Sequence, residues 1–86
     1  MLTIKVLGSG CENCHKVEAT ARQVVSNMGM QAEFVKVTDW EEIKKYPILA
    51  TPGLVINEKL VCAGRVPPAN EVMTLIANVL AEKEAN

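Results

Sequence analysis

Apolar and polar residues along this chain alternate in runs whose spacing names an element. In Leu2-Thr3-Ile4-Lys5-Val6-Leu7 the apolar Leu2, Ile4 and Val6 alternate with Thr3 and Lys5, which is strand spacing. Leu7 makes the other face partly apolar too, as a strand covered on both sides requires, and Gly8 ends the run. From Glu12 to Met28 the period lengthens. Val17, Ala21, Val24, Val25 and Met28 share one face at the three-and-four spacing, and Gly29 stands where a helix ends in a left-handed residue. Ala32 to Val37 reads as a second strand. Asp39, with Glu42 three residues on, suggests a capping box that opens a short helix, with Trp40 packing it against the sheet and Pro47 ending it. Gly53 to Ile56 and Lys59 to Ala63 are two short strands joined at Asn57-Glu58 as an antiparallel hairpin. Pro67-Pro68 introduces a last helix with the stripe Val72, Leu75, Ile76, Val79 and Leu80. Residues 80–86 are expected to fray.

The order is therefore β-α-β-α-β-β-α. A strand-helix-strand start implies a right-handed crossover and a parallel first pair. The hairpin adds two strands. The expectation is an α/β fold with a four-stranded mixed sheet and helices on both faces, in a single domain spanning residues 1–86.

Composition narrows the partners. Apolar residues make up 49% of the 86 residues, charged residues of mixed sign 22%, and the net charge is -1, so the chain can build a core. With no basic patch and one each of Trp, Tyr and Phe, nucleic acid is not an expected partner. No apolar run approaches the roughly 20 residues of a membrane span. The opening residues lack a secretory pattern, which makes a cytoplasmic address the default expectation. Three cysteines are too few, and odd in number, for a secreted disulfide scaffold. In a reducing compartment a close pair is catalytic or metal-binding.

That pair lies in Gly8-Ser9-Gly10-Cys11-Glu12-Asn13-Cys14-His15. A Cys-x-x-Cys-His run can attach a haem, Cys-x-x-Cys can grip a metal, and it can cycle between dithiol and disulfide. Haem attachment needs export and a large cleft, and nothing in the chain suggests either. For redox work the placement is apt. Cys11 falls at the start of a helix, where unpaired N–H groups and the helix dipole favour the thiolate, the attacking form. Gly8 and Gly10 leave the approach open, and Cys14 lies one turn along the same face. Glu12, next to Cys11, opposes the dipole. His15 is either a proton shuttle or a solvated first-turn residue. Far away in sequence, Thr51-Pro52 stands just ahead of the third strand, where proline has no N–H to give a ladder. Cys62, among Leu60, Val61 and Ala63, reads as a buried small hydrophobe.

A strand, Cys-x-x-Cys and helix at the start, a Thr-Pro before the third strand, a hairpin and a last helix resemble the thioredoxin superfamily over nearly the whole chain. "GSGCENC" ahead of the helix and "AGRVPP" after the fourth strand are similar to its small redox-active disulfide members. The resemblance implies a thiol–disulfide oxidoreductase in which Cys11 is the nucleophile and Cys14 resolves. It implies that Pro52 is cis beside the disulfide and that the Thr51 backbone pairs with a bound peptide. Gly10 and Arg65 join the expected substrate-binding set, Arg65 reading either as a partner for a substrate carboxylate or as a solvated loop arginine. No prosthetic group or metal is expected. The expected partners are disulfide-containing proteins and a reductase or thiol pool as electron donor, with the chain itself a monomer. Two departures stand out: thioredoxin's buried first-strand carboxylate is replaced by Lys5, and glutaredoxin's glutathione-holding glycine pair is replaced by "AGRVPP". The alternatives are a small heavy-metal carrier, although such domains end on a strand rather than a helix, and a non-catalytic adaptor.

Overall fold

The computed structural model describes residues 2–8, 12–48 and 50–85, with side chains described to residue 82. Its elements are β1 (Leu2–Leu7), α1 (Glu12–Asn27), β2 (Ala32–Val37), α2 (Trp40–Ile43), β3 (Gly53–Ile56), β4 (Lys59–Ala63) and α3 (Ala69–Ala85). The strands form one sheet in the order β2-β1-β3-β4. β1 runs parallel to β2, pairing Leu2 with Ala32 through Leu7 with Val37, and antiparallel to β3. The sheet is mixed, as the strand order in the sequence implies.

Alternation in β1 sorts the two faces. Leu2, Ile4 and Val6 point to the face covered by α1 and α3. There they join Val17, Ala21, Val24 and Val25 of α1, Leu54 and Ile56 of β3, and Val72, Ile76 and Val79 of α3. Leu7 points the other way and packs with Val55 and Ile43 of α2. The second cluster is the smaller because α2 has a single turn.

The local chemistry of three termini explains the boundaries. Gly29 takes φ +69° just past α1, a left-handed position that glycine adopts without the local backbone strain a side chain brings. At α2 the Asp39 carboxylate accepts from the Glu41 N–H at 3.0 Å, while Glu42 pairs with Lys45 at 2.5 Å. Asp39 thus caps the helix, but Glu42 does not complete a reciprocal box. The helix stops at Ile43 with Lys44 as its cap, short of Pro47. In the β3–β4 turn both Asn57 and Glu58 have positive φ, 50° and 69°, the mirror-image turn that suits strand twist. Two side chains offset the strain of a non-glycine residue there. Asn57 Oδ1 accepts from Thr3 N–H at 2.9 Å. The Glu58 carboxylate meets Lys5 Nζ at 2.6 Å and accepts from the Tyr46 hydroxyl at 3.0 Å.

Trp40 corrects the sequence reading. It is 57% exposed, and Ile43, at 1%, is the residue that seats α2. A four-residue helix has one inward direction, and Ile43 occupies it.

Candidate active site

The C-terminal ends of β1 and β2 open on the same edge of the sheet. Gly8 continues the ladder past β1 by donating its N–H to Val37 O at 2.9 Å. α1 then begins at Glu12 and places Cys14 in its first turn, pointing inward, where the residue is 6% exposed. The Cys14 sulfur rests on Gly8. A Cβ built on Gly8 would fall inside the sulfur's contact distance and would lie 3.8 Å from Thr51 Cβ. Gly8 is therefore the floor between Cys14 and Thr51, and its lack of a side chain is what lets them converge.

The loop ahead of β3 supplies the other wall. Thr51 is exposed, Pro52 is buried, and the Thr51–Pro52 peptide bond is cis. Pro52 O accepts from Gly64 N–H at 2.8 Å, so the loop after β4 is tied to this wall. Gly53 follows, buried where a Cβ would meet Ile48 at 2.5 Å and Leu7 at 3.3 Å, which keeps β3 close to β1.

The structure thus brings together Cys14, Thr51 and Pro52 of the expected set. Cys11 and Gly10 lie outside the described residues. Arg65 is at the same end but is already engaged: its guanidinium forms a two-pronged pair with Glu71, Nη1 to Oε1 at 2.9 Å and Nη2 to Oε2. His15 is exposed and Glu12 is exposed, the latter 3.9 Å from Lys16. Cys62 is an unbridged thiol on β4, opposite Leu54, and burial pushes its pKa up.

Sequence reasoning missed two residues beside Cys14. A small cleft of about 20 Å³ lies between α1 and β2, lined by Val6, Gly8, Cys14, His15, Glu18, Lys36 and Thr38. Glu18 is one helical turn below Cys14, and its side chain is 14% exposed. Its carboxylate bonds Lys36 Nζ at 3.0 Å and Arg22 Nε at 2.9 Å. The Lys36 hydrogen bond, with that of Arg22, holds the Glu18 pKa below the usual carboxylate range. Arg22 in turn stacks on Phe34, 4.4 Å from the ring centroid. The available signal was the four-residue step from Cys14 to Glu18.

The sheet order, the crossover and a buried first-turn cysteine facing a Thr-Pro loop define the class of thioredoxin-like redox proteins. Comparison with known proteins agrees. The thioredoxin domain family matches residues 2–77. A thioredoxin of Methanothermobacter thermautotrophicus is 34% identical over 77 residues, covering 90% of this chain and 100% of that protein. One of Methanocaldococcus jannaschii is 31% identical over 83 residues, covering 96% and 95%. Among solved structures, chloroplastic thioredoxin z superposes with a TM-score of 0.66 at 20% identity, covering 94% of this chain and 80% of that one. Thioredoxin-2, described as a component of malaria parasite protein secretion machinery, gives 0.64 at 14%, covering 91% and 82%. The chain belongs to the thioredoxin family. Among the described residues no helix is long and apolar enough to cross a membrane.

Proposed function

We propose that this protein is a protein-disulfide reductase acting by thiol–disulfide exchange in the cytoplasm, as one domain over residues 1–86. Cys11 attacks a substrate disulfide and Cys14 resolves the mixed disulfide. The observation that carries the reading is the convergence of the buried Cys14 sulfur with Thr51 across Gly8. A sulfur seated inward cannot meet a large substrate first, so its task is to displace one that is already attached. The helix that begins at Glu12 would favour the thiolate on the residue before it.

The reaction needs no prosthetic group. Cys11 thiolate attacks one sulfur of the substrate disulfide, and the other sulfur leaves with the electron pair. Cys14 then attacks Cys11, a Cys11–Cys14 bond forms, and the second substrate sulfur leaves reduced. An external reductase or thiol pool returns the two electrons. Exposed Thr51 offers a peptide-docking edge beside buried Pro52, and Gly10 in the sequence brings no side chain to the motif. Arg65 serves a substrate carboxylate only by exchanging Glu71 for it.

The test is trapping on a disulfide-bearing protein. Cys14→Ser should accumulate a mixed disulfide through Cys11, and Cys11→Ser should accumulate none. Equal trapping by both variants, or binding that survives loss of both thiols, would instead indicate an adaptor.

A further inference from the structure

The sheet has two edges, and they are finished differently. On β4 the register shifts between Leu54 and Val55, which leaves Val61 as an extra residue. Such a bulge twists an edge away from other chains. β2 pairs in unbroken register with β1 over all six of its residues and has no strand on its other side. Which of its backbone groups point outward follows from the parallel ladder. Leu2 N–H donates to Gln31 O, and Gly8 N–H donates to Val37 O. Bonds in a parallel pair recur at every second residue, so Glu33 and Val35 also face β1. Ala32, Phe34 and Lys36 therefore turn their N–H and C=O groups outward, and among the described residues nothing bonds them.

Both sides of this edge are hollow. On the α1 side a groove of about 500 Å³ has Arg22, Val25, Met30 and Phe34 in its wall. On the α2 side a groove of about 600 Å³ has Val35, Val37 and Tyr46 in its wall, and its lysines and carboxylates are equal in number. A strand added to β2 would find room for its side chains on both faces in alternation.

Charge selects the occupant. On the α1 side Lys36 and Arg22 share one carboxylate, that of Glu18, at 3.0 and 2.9 Å. Both cations are more than half exposed, while Glu18 is 14% exposed. The face thus shows solvent one positive charge beyond balance, next to the Phe34 ring on which Arg22 stacks. A second copy does not answer that charge. Two-fold antiparallel pairing keeps like faces together, so it would add another Lys36 and another Arg22 to the same face. A segment that carries carboxylates on this face does answer it.

We propose that the outer edge of β2 docks an extended acidic segment of a partner protein, added antiparallel, with a carboxylate facing Lys36 and Arg22 and an apolar residue beside Phe34. In an antiparallel pair, directly opposed residues share a face, so the residues bonded to Ala32, Phe34 and Lys36 are the ones whose side chains meet this charge. β2 ends at Val37, whose carbonyl accepts from Gly8, so the docked strand runs up to the end of the sheet that holds Cys14. Neither cysteine takes part, and the docking is independent of the exchange reaction.

The experiment uses the full reduced chain and the capped peptide Glu-Val-Leu-Val-Glu at low salt, with amide exchange read residue by residue by NMR. In the free protein the Phe34 and Lys36 amides should exchange fast and those of Val35 and Val37 slowly. Peptide at about 1 mM should slow Phe34 and Lys36 by at least about threefold. The same peptide with lysine in place of both glutamates should slow neither. Lys36→Gln should weaken binding of the acidic peptide roughly two- to fivefold, the range of an exposed ion pair. Exchange at Phe34 and Lys36 unchanged by the peptide, equal slowing by the lysine peptide, or slowing confined to residues around Thr51 would overturn the proposal. So would protection of Phe34 and Lys36 that grows with protein concentration alone, which would assign the edge to a second copy.

Discussion

Gly8→Ala tests whether Cys14 sits where the site requires. The added Cβ would overlap the Cys14 sulfur, while the next atom, Cys14 Cβ, is 3.5 Å away in ordinary contact. Overfilling a packed site costs about 1–3 kcal/mol. Gly8 also holds φ +157°, a conformation strained for any residue with a side chain, so the usual gain from restricting the unfolded chain is not available and the strain adds to the cost. A net loss of at least about 1–3 kcal/mol follows, and for a domain of this size each kcal/mol lowers Tm by about 4–8 °C. Urea unfolding under reducing conditions measures it without interference from disulfides. The sharper reading is a double-mutant cycle with Cys14→Ala. Removing the sulfur removes the overlap, so Gly8→Ala should be milder in that background, with a coupling of about 0.5–3 kcal/mol. An identical penalty in both backgrounds would refute the placement of the sulfur over Gly8.

Three further outcomes are expected. Ile43→Ala should cost about 2–5 kcal/mol because it empties the second cluster, whereas Trp40→Ala, on the same single turn but exposed, should stay within about 0.5 kcal/mol in the same unfolding assay. Glu18 has a folded pKa below its unfolded value of about 4.3, so its pairing stabilises the fold above that pH and the benefit is lost as pH falls through the folded value. Unfolding free energy should therefore drop more steeply in acid for wild type than for Glu18→Gln, and parallel curves would show that the ion pairs contribute nothing. Cys62, buried and with a raised pKa, should resist iodoacetamide in the native reduced protein and react on unfolding, whereas labelling at the rate of a free thiol would show that β4 opens.

Much of this was legible because each element states its period locally. The bounds of β2, β3 and β4 follow from short β-branched runs between turn residues, and α1 follows from its Val-Ala-Val-Val face. The short helix was harder. Asp39 signals a cap in any sequence, but whether Trp40 or Ile43 turns inward depends on the direction in which Val37 delivers the chain. The hairpin at Asn57-Glu58 was legible but the type of its turn was not, because glutamate is held at positive φ by Lys5 and Tyr46, both distant in sequence. The same Lys5 marked only the loss of a first-strand carboxylate. In the fold it is committed to Glu58 on the α2 face, and the charged residues lining the cleft beside Cys14, Glu18 and Lys36, come from α1 and β2 instead. Arg65 illustrates the opposite limit: a loop arginine reads as available until α3 brings Glu71 against it.

The central claim is that Cys11 and Cys14 form one reversible couple while Cys62 stands apart. It is tested most directly by equilibrating the protein in graded thiol buffers, first metal-free and then with excess Zn(II), and counting alkylated thiols by mass under denaturing conditions. The account predicts that two of the three thiols disappear together along a single two-electron curve, that the third persists, and that zinc leaves the curve in place. If no intramolecular disulfide forms, or if stoichiometric zinc protects both thiols, the pair is a metal clasp and the account is contradicted.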